Sequence, residues 1–98
     1  MVERKLRERD IEAYLVRRVK ELGGEVRKVK WIGRRGAPDR LVMLPNAWGR
    51  GSAAIWVELK APGMGAEAHQ LREHLRMRRV GQRVAVIDSL EGVDRLLS

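Results

Sequence analysis

Two short apolar runs, Leu41 to Pro45 and Ala53 to Val57, flank Asn46-Ala47-Trp48-Gly49-Arg50-Gly51, and no other segment constrains the fold as tightly. The pattern is strand, turn, strand. With the turn centred near Trp48-Gly49 and no bulge, residues whose numbers sum to 97 face each other, which sets Asp39 opposite Glu58. Partners across such a pair stand about 5 Å apart at Cβ. Lys60 shares the face of Glu58, because side chains alternate along a strand. The hairpin therefore predicts two carboxylates and an ammonium on one patch of sheet.

Two carboxylates at that spacing repel each other unless something positive lies between them, and hard oxygen ligands suit Mg²⁺ or Mn²⁺. A magnesium ion held by two carboxylates keeps positions for water and phosphate oxygens, so the chemistry implied is phosphodiester hydrolysis. Lys60 beside it could orient or deprotonate the attacking water, or neutralise the scissile phosphate. The plainer alternative is a set of solvated charges on an exposed sheet. Against it, Glu58 interrupts the core-like run Trp56-Val57-Glu58-Leu59, where an unpaired charge is costly, and Pro38 fixes the backbone before Asp39.

Elsewhere the periodicity predicts a helix over 7–22, with Ile11, Leu15, Val19 and Leu22 on one stripe and Gly23-Gly24 as its stop. Glu12 falls within about 60° of Leu15, Val16 and Val19 on that wheel. It either pairs with Arg9 on the helix surface or joins the acidic site. A first strand is expected over 25–30. A loop rich in Gly and Arg then delivers the chain to Asp39. A second helix is expected over 66–80, with Leu71 and Leu75 against the sheet and Gln70 on the flank, where its carboxamide could bond a metal-bound water. His69 and His74 lack partners at zinc spacing and read as surface or nucleic-acid backbone contacts. A strand over 83–88, apolar on both sides and so read as interior, precedes a helix capped by Ser89. The order is α-β-β-β-α-β-α, an α/β domain with a mixed sheet of about four strands.

The chain has 98 residues, enough for one domain, 1–98, and it has no cysteine. Its apolar runs reach only about five residues, far short of a membrane span. A soluble, cytoplasmic protein is expected, with no membrane partner and no small-molecule cofactor. Twenty-one Lys and Arg against 13 acids give a net charge of +8, which favours a polyanionic partner. Lys30, Arg34, Arg35, Arg72 and Arg76 are the candidate phosphate contacts. Arg34 and Arg35 stand in the loop before Asp39; Arg72 and Arg76 share a helix face. Trp48 and Trp56 offer a hairpin tip and a sheet face for dimer packing or base stacking, or a place in the core for Trp56.

Pro38-Asp39, Glu58-Leu59-Lys60 and a helical Gln70 together resemble the PD-(D/E)XK nuclease superfamily. The Gly-x-Pro-Asp form and the acid on the first helix are closer still to its virus-type replication-repair nuclease (VRR-NUC) domain. The likeness runs from about Ile11 to Leu97, including Lys30-Trp31 and the tail Val86-Ile87-Asp88-Ser89, and no motif position is substituted. It implies a restriction-endonuclease-like core with Asp39, Glu58, Lys60, Glu12 and Gln70 as catalytic residues. The metal ligands it implies are Asp39, Glu58, the Leu59 carbonyl and Glu12, the last directly or through water. It further implies a structure-selective DNA endonuclease acting on four-way junctions or other branched DNA in replication, recombination or repair. The free-standing kind of domain, from bacteria or phages, would be a homodimer in a bacterial cell or a phage-infected host. Charge alone supports a different reading, a nucleic-acid-binding module without catalysis. A protein-interaction domain contacting its partner through the tryptophans is a third.

Overall fold

The computed structural model describes residues 5–45 and 53–98, arranged as α1 (Glu8–Glu21), β1 (Glu25–Lys28), β2 (Arg40–Leu44), β3 (Ala53–Leu59), α2 (Ala68–Arg79), β4 (Arg83–Ile87) and α3 (Leu90–Leu97). This is the anticipated element order. The four strands form one sheet in the order β1-β2-β3-β4, antiparallel except for the parallel pair β3–β4.

Arg40 pairs with Val57, Leu41 with Trp56, Val42 with Ile55, Met43 with Ala54 and Leu44 with Ala53, so the hairpin has the expected register. Its turn, and with it Trp48, lies outside the described residues. Alternation sends Val42, Ile55, Val57 and Leu59 to one face, where they bury against Ile11, Leu15 and Val19 of α1 and Val93 and Leu97 of α3. That face is the core. Leu41, Met43, Trp56 and Glu58 belong to the other face of the sheet.

α1 begins where the Asp10 carboxylate accepts the Arg7 backbone N–H at 2.8 Å, and it ends at Leu22. Gly24 then passes so close to β2 that a Cβ there would meet the Met43 carbonyl at 2.3 Å, so this junction admits no side chain. α3 is capped as expected, with Ser89 Oγ accepting the Gly92 N–H at 2.9 Å.

Two expectations fail. β4 is an edge strand, and Val86 on it is 36% exposed. Ala85 and Ile87 face the common core and α2 packs near its other face, while among the described residues no strand pairs with its outer edge. On α2, Leu71 and Leu75 are exposed, whereas Glu73, His74 and Met77 are buried. The helix packs with its polar side inward because Arg34 is there to pair with Glu73.

Candidate active site

Backbone bonds beyond the regular ladders fix the ends of the strands that carry the site. The Val29 N–H donates to the Asp39 carbonyl at 2.9 Å, and the Lys60 N–H to the Ile87 carbonyl at 2.9 Å. Pro38 is buried, and its carbonyl accepts the Trp31 indole N–H at 2.8 Å. The Trp31 ring in turn packs on Trp56, with centroids 5.1 Å apart and planes tilted by 50°. Trp56 is half-buried and donates its own N–H to Gln82 at 3.0 Å. Asp39 thus enters the sheet from a braced loop. Gly36 allows this bracing: its φ is +86°, and a Cβ there would stand 2.9 Å from the His69 carbonyl on α2.

One pair past Arg40–Val57, the same register brings Asp39 opposite Glu58. Lys60 Nζ lies 4.0 Å from Glu58 Oε2, and the Lys60 and Glu58 side chains are only 18% and 12% exposed. Burial first, then the Asp39 charge, then that of Glu8, push the Glu58 carboxyl up to about 7, against the pull of Lys60 and Arg40. A buried carboxylate beside another is the environment that resists ionisation.

Glu12 faces Arg40, whose Nε donates to Glu12 Oε2 at 2.6 Å, while Arg40 Nη1 lies 3.0 Å from Asp39 Oδ1. Burial opposes the Arg40 charge, yet the bond to Glu12 and the field of Asp39 hold its pKa above the ordinary value. The helix acid therefore reaches Asp39 through a guanidinium. It does not pair with Arg9. Sequence reasoning missed Arg40, although it directly follows the Pro-Asp motif, and missed Glu8, the first-turn acid of α1 whose charge acts on Glu58. It also missed Trp31 as the brace for Pro38. Gln70 uses its side-chain oxygen to accept the Glu67 N–H at 2.9 Å, closing the N-terminus of α2.

The cationic candidates separate into two groups. Asp39, 58% exposed at its side chain, opens onto a cleft of about 510 Å³ walled by Lys28, Lys30, Trp31 and Arg34. Lys30, Arg35 and Arg72 are exposed, and among the described residues none has an ion-pair partner. Arg34 and Arg76, by contrast, both pair with Glu73. His74 is not a surface residue: it is fully buried. A cleft of about 490 Å³ between α1 and α3, lined by Leu6, Tyr14, Arg17 and Leu90, contains none of the predicted site residues.

Among the described residues no group of three or more His, Cys, Asp or Glu side chains is arranged to hold a metal. A hard cation of the magnesium type needs only one or two carboxylates. Asp39 and Glu58 are two such carboxylates, and Glu58 resists ionisation first because it is buried and then because Asp39 is beside it.

No protein-family model matches the chain. The protein named "Putative nuclease p44" of Acyrthosiphon pisum secondary endosymbiont phage 1 is 48% identical over 86 residues, or 88% of this chain and 87% of that protein. A solved VRR-NUC domain superposes with a TM-score of 0.78 at 43% identity, covering 92% of each chain. Both likenesses extend over most of the chain rather than over one motif. With an α/β core of the PD-(D/E)XK kind and a relative this similar along nearly its whole length, the chain belongs to the VRR-NUC family.

Proposed function

We propose that the chain is a divalent-metal-dependent endonuclease that hydrolyses phosphodiester bonds in DNA. The observation that carries this is the Asp39–Glu58 pair, with Glu58 pushed up to about 7 by burial and by its neighbours. The phage relative bearing a nuclease name supports it.

Asp39, Glu58 and the Leu59 carbonyl would hold Mg²⁺ or Mn²⁺, with Glu8 and Glu12 the acids contributed by α1. A bound divalent cation lowers the pKa of water and stabilises charge developing on phosphate oxygens. Lys60 places a fixed positive charge beside Glu58, where it neutralises the scissile phosphate and orients the attacking water. Arg40, only 12% exposed, holds Asp39 in one orientation while Glu12 holds Arg40. Trp31 fixes the Pro38 carbonyl and so the point at which Asp39 leaves the loop. Gln70 keeps the start of α2 closed beside Gly36.

The family resemblance supports a branched substrate, such as a four-way junction, cut in replication, recombination or repair. It equally supports a homodimer, since symmetric incision needs two sites related by a two-fold axis. A cytoplasmic setting, in a bacterium or a phage-infected cell, follows from the same reading.

The test is a panel of labelled four-way junction, flap and linear duplex, incubated with the protein in Mn²⁺ or Mg²⁺ and in EDTA. Cleavage is expected only with metal. Asp39→Ala and Lys60→Ala should lose about 10²-fold or more in rate, the scale of a lost positioned charge, while still binding DNA. A panel left intact, or variants as active as the parent, would overturn the reading in favour of a binding module.

A further inference from the structure

Glu73 is only 3% exposed at its side chain, yet it is an acid. Burying a carboxylate is tolerable only when it is fully paired. Two guanidiniums do the pairing, one from each of the elements meeting there. Arg34 Nε, in the loop that leads to Asp39, lies 3.2 Å from Glu73 Oε2, and Arg76 Nε, one helical turn on from Glu73, donates to Glu73 Oε1 at 2.9 Å.

Each arginine spends its Nε on the shared acid. Among the described residues, no hydrogen bond or ion pair engages the terminal nitrogens of Arg34 or Arg76, and their side chains are 53% and 50% exposed. Two guanidiniums are thus tied through one carboxylate while their terminal nitrogens keep donors to spare. The triad carries a net positive charge. Arg34 and Arg76 also border, with Met77, Arg79 and Val80, a largely apolar cleft of about 360 Å³. Arg34 also walls the cleft onto which Asp39 opens, so the two clefts adjoin.

We propose that Glu73 assembles Arg34 and Arg76 into a clamp for a single backbone phosphate of the nucleic-acid strand, next to the phosphate held at the Asp39–Glu58 pair. The clamp rests on the nuclease reading for its substrate. Guanidinium forks match phosphate oxygens in pairs, and a fork already fixed by an acid loses less freedom on binding than a free side chain. Glu73 is a positioning residue here and the two arginines are the contacts.

The experiment measures binding of a labelled linear duplex in EDTA, where nothing is cut, across a salt series. Each phosphate neutralised contributes about 0.9 to the slope of log affinity against log salt. Arg34→Gln with Arg76→Gln should lower that slope by about 0.9, the share of one phosphate, and weaken binding by roughly tenfold or more. Because this double variant leaves Glu73 buried without a cation, a triple variant adding Glu73→Gln keeps the core neutral and should show the same loss. Arg34→Lys with Arg76→Lys keeps both charges and should restore the slope. Arg95→Gln on α3 removes one positive charge, the same net change as in the triple variant, and should leave the slope unchanged.

An unchanged slope in the triple variant, a loss of about 1.8 that marks two separate phosphates, or an equal loss in Arg95→Gln would overturn the clamp. So would a parent protein that fails to bind the duplex. The two readings fail separately. Normal cleavage by a protein whose slope ignores Arg34 and Arg76 refutes the clamp alone, and slope loss in a protein that cuts nothing refutes the nuclease alone.

Discussion

Replacing Glu58 with Gln should stabilise the metal-free protein at pH 8 and leave it nearly unchanged at pH 4. The carboxyl titrates at about 7 in the folded chain and near 4.5 when exposed, so between those values the folded state binds a proton that the unfolded state has released. Stability contributed by this group is complete below the unfolded value and declines as pH rises through the window, gone above about 7. At about 1.4 kcal/mol per pH unit the whole effect is about 3 kcal/mol. That is a large fraction of the roughly 5–15 kcal/mol that holds a domain together. The side chain is 12% exposed, so solvent screening removes little of it.

Urea unfolding in EDTA at several pH values, followed by the fluorescence of the packed Trp31 and Trp56, measures this directly. Carboxylates shared by both proteins cancel in the difference, which should grow with pH between 4.5 and 7 and then level off. A difference that stays flat, or that favours the parent as pH rises, would refute the account of Glu58 as an ionisation imposed on the fold. Adding Mn²⁺ at pH 8 should raise the parent's stability, by about 2.7 kcal/mol at a hundredfold excess over its dissociation constant, and raise the variant's less.

Further outcomes follow from the neighbouring residues. Glu12→Gln leaves Arg40, 12% exposed, with Asp39 as its acid and should lower stability by about 1–3 kcal/mol; an unchanged urea midpoint would show that the pair contributes nothing. Gly36→Ala imposes a positive φ and a contact with the His69 carbonyl, so a loss of about 1–3 kcal/mol is expected, together with weaker Mn²⁺ binding by calorimetry as the loop lifts from α2. His74 is kept neutral by burial and by Arg78, so its contribution is present above the unfolded pKa and lost as pH falls. His74→Leu should therefore remove part of the acid sensitivity between pH 8 and pH 5 in thermal melts, and a variant that melts like the parent at both values would contradict this.

The hairpin was legible because its constraint is local. Alternation in two short runs and the length between them leave one register that buries Val42, Ile55 and Val57 together, and that register carries Asp39 to Glu58. α2 was not legible, for the opposite reason. Leu71 and Leu75 offer an apolar pair at helical spacing, but the inward face is selected by Arg34, a residue of a distant loop. The edge position of β4 is equally non-local, since an apolar run looks the same in sequence whether or not a further strand follows. Glu8 and Glu12 lie on the same side of α1, one turn or about 6 Å apart along its axis. Periodicity cannot tell which turn stands level with the site.

That ambiguity has a physical resolution in the charges themselves. Arg40 pairs with Glu12 and Asp39, so Glu58 keeps only its longer-range pull and an ammonium 4.0 Å away, while Asp39 and Glu8 act against it. The two sheet carboxylates thus sit in unlike surroundings, one exposed on a guanidinium and the other buried and short of positive charge. Environments that differ in this way are how a pair of similar acids takes on distinct roles. A fold optimised only for stability would put an apolar residue or a second guanidinium at Glu58. Retaining a buried acid there makes sense if the missing charge arrives from outside, as a proton below about pH 7 and as a divalent cation above it. On the proposed metal-dependent reading, the destabilising charge of Glu58 and the affinity of the pair for a cation are one property, read from the same carboxyl.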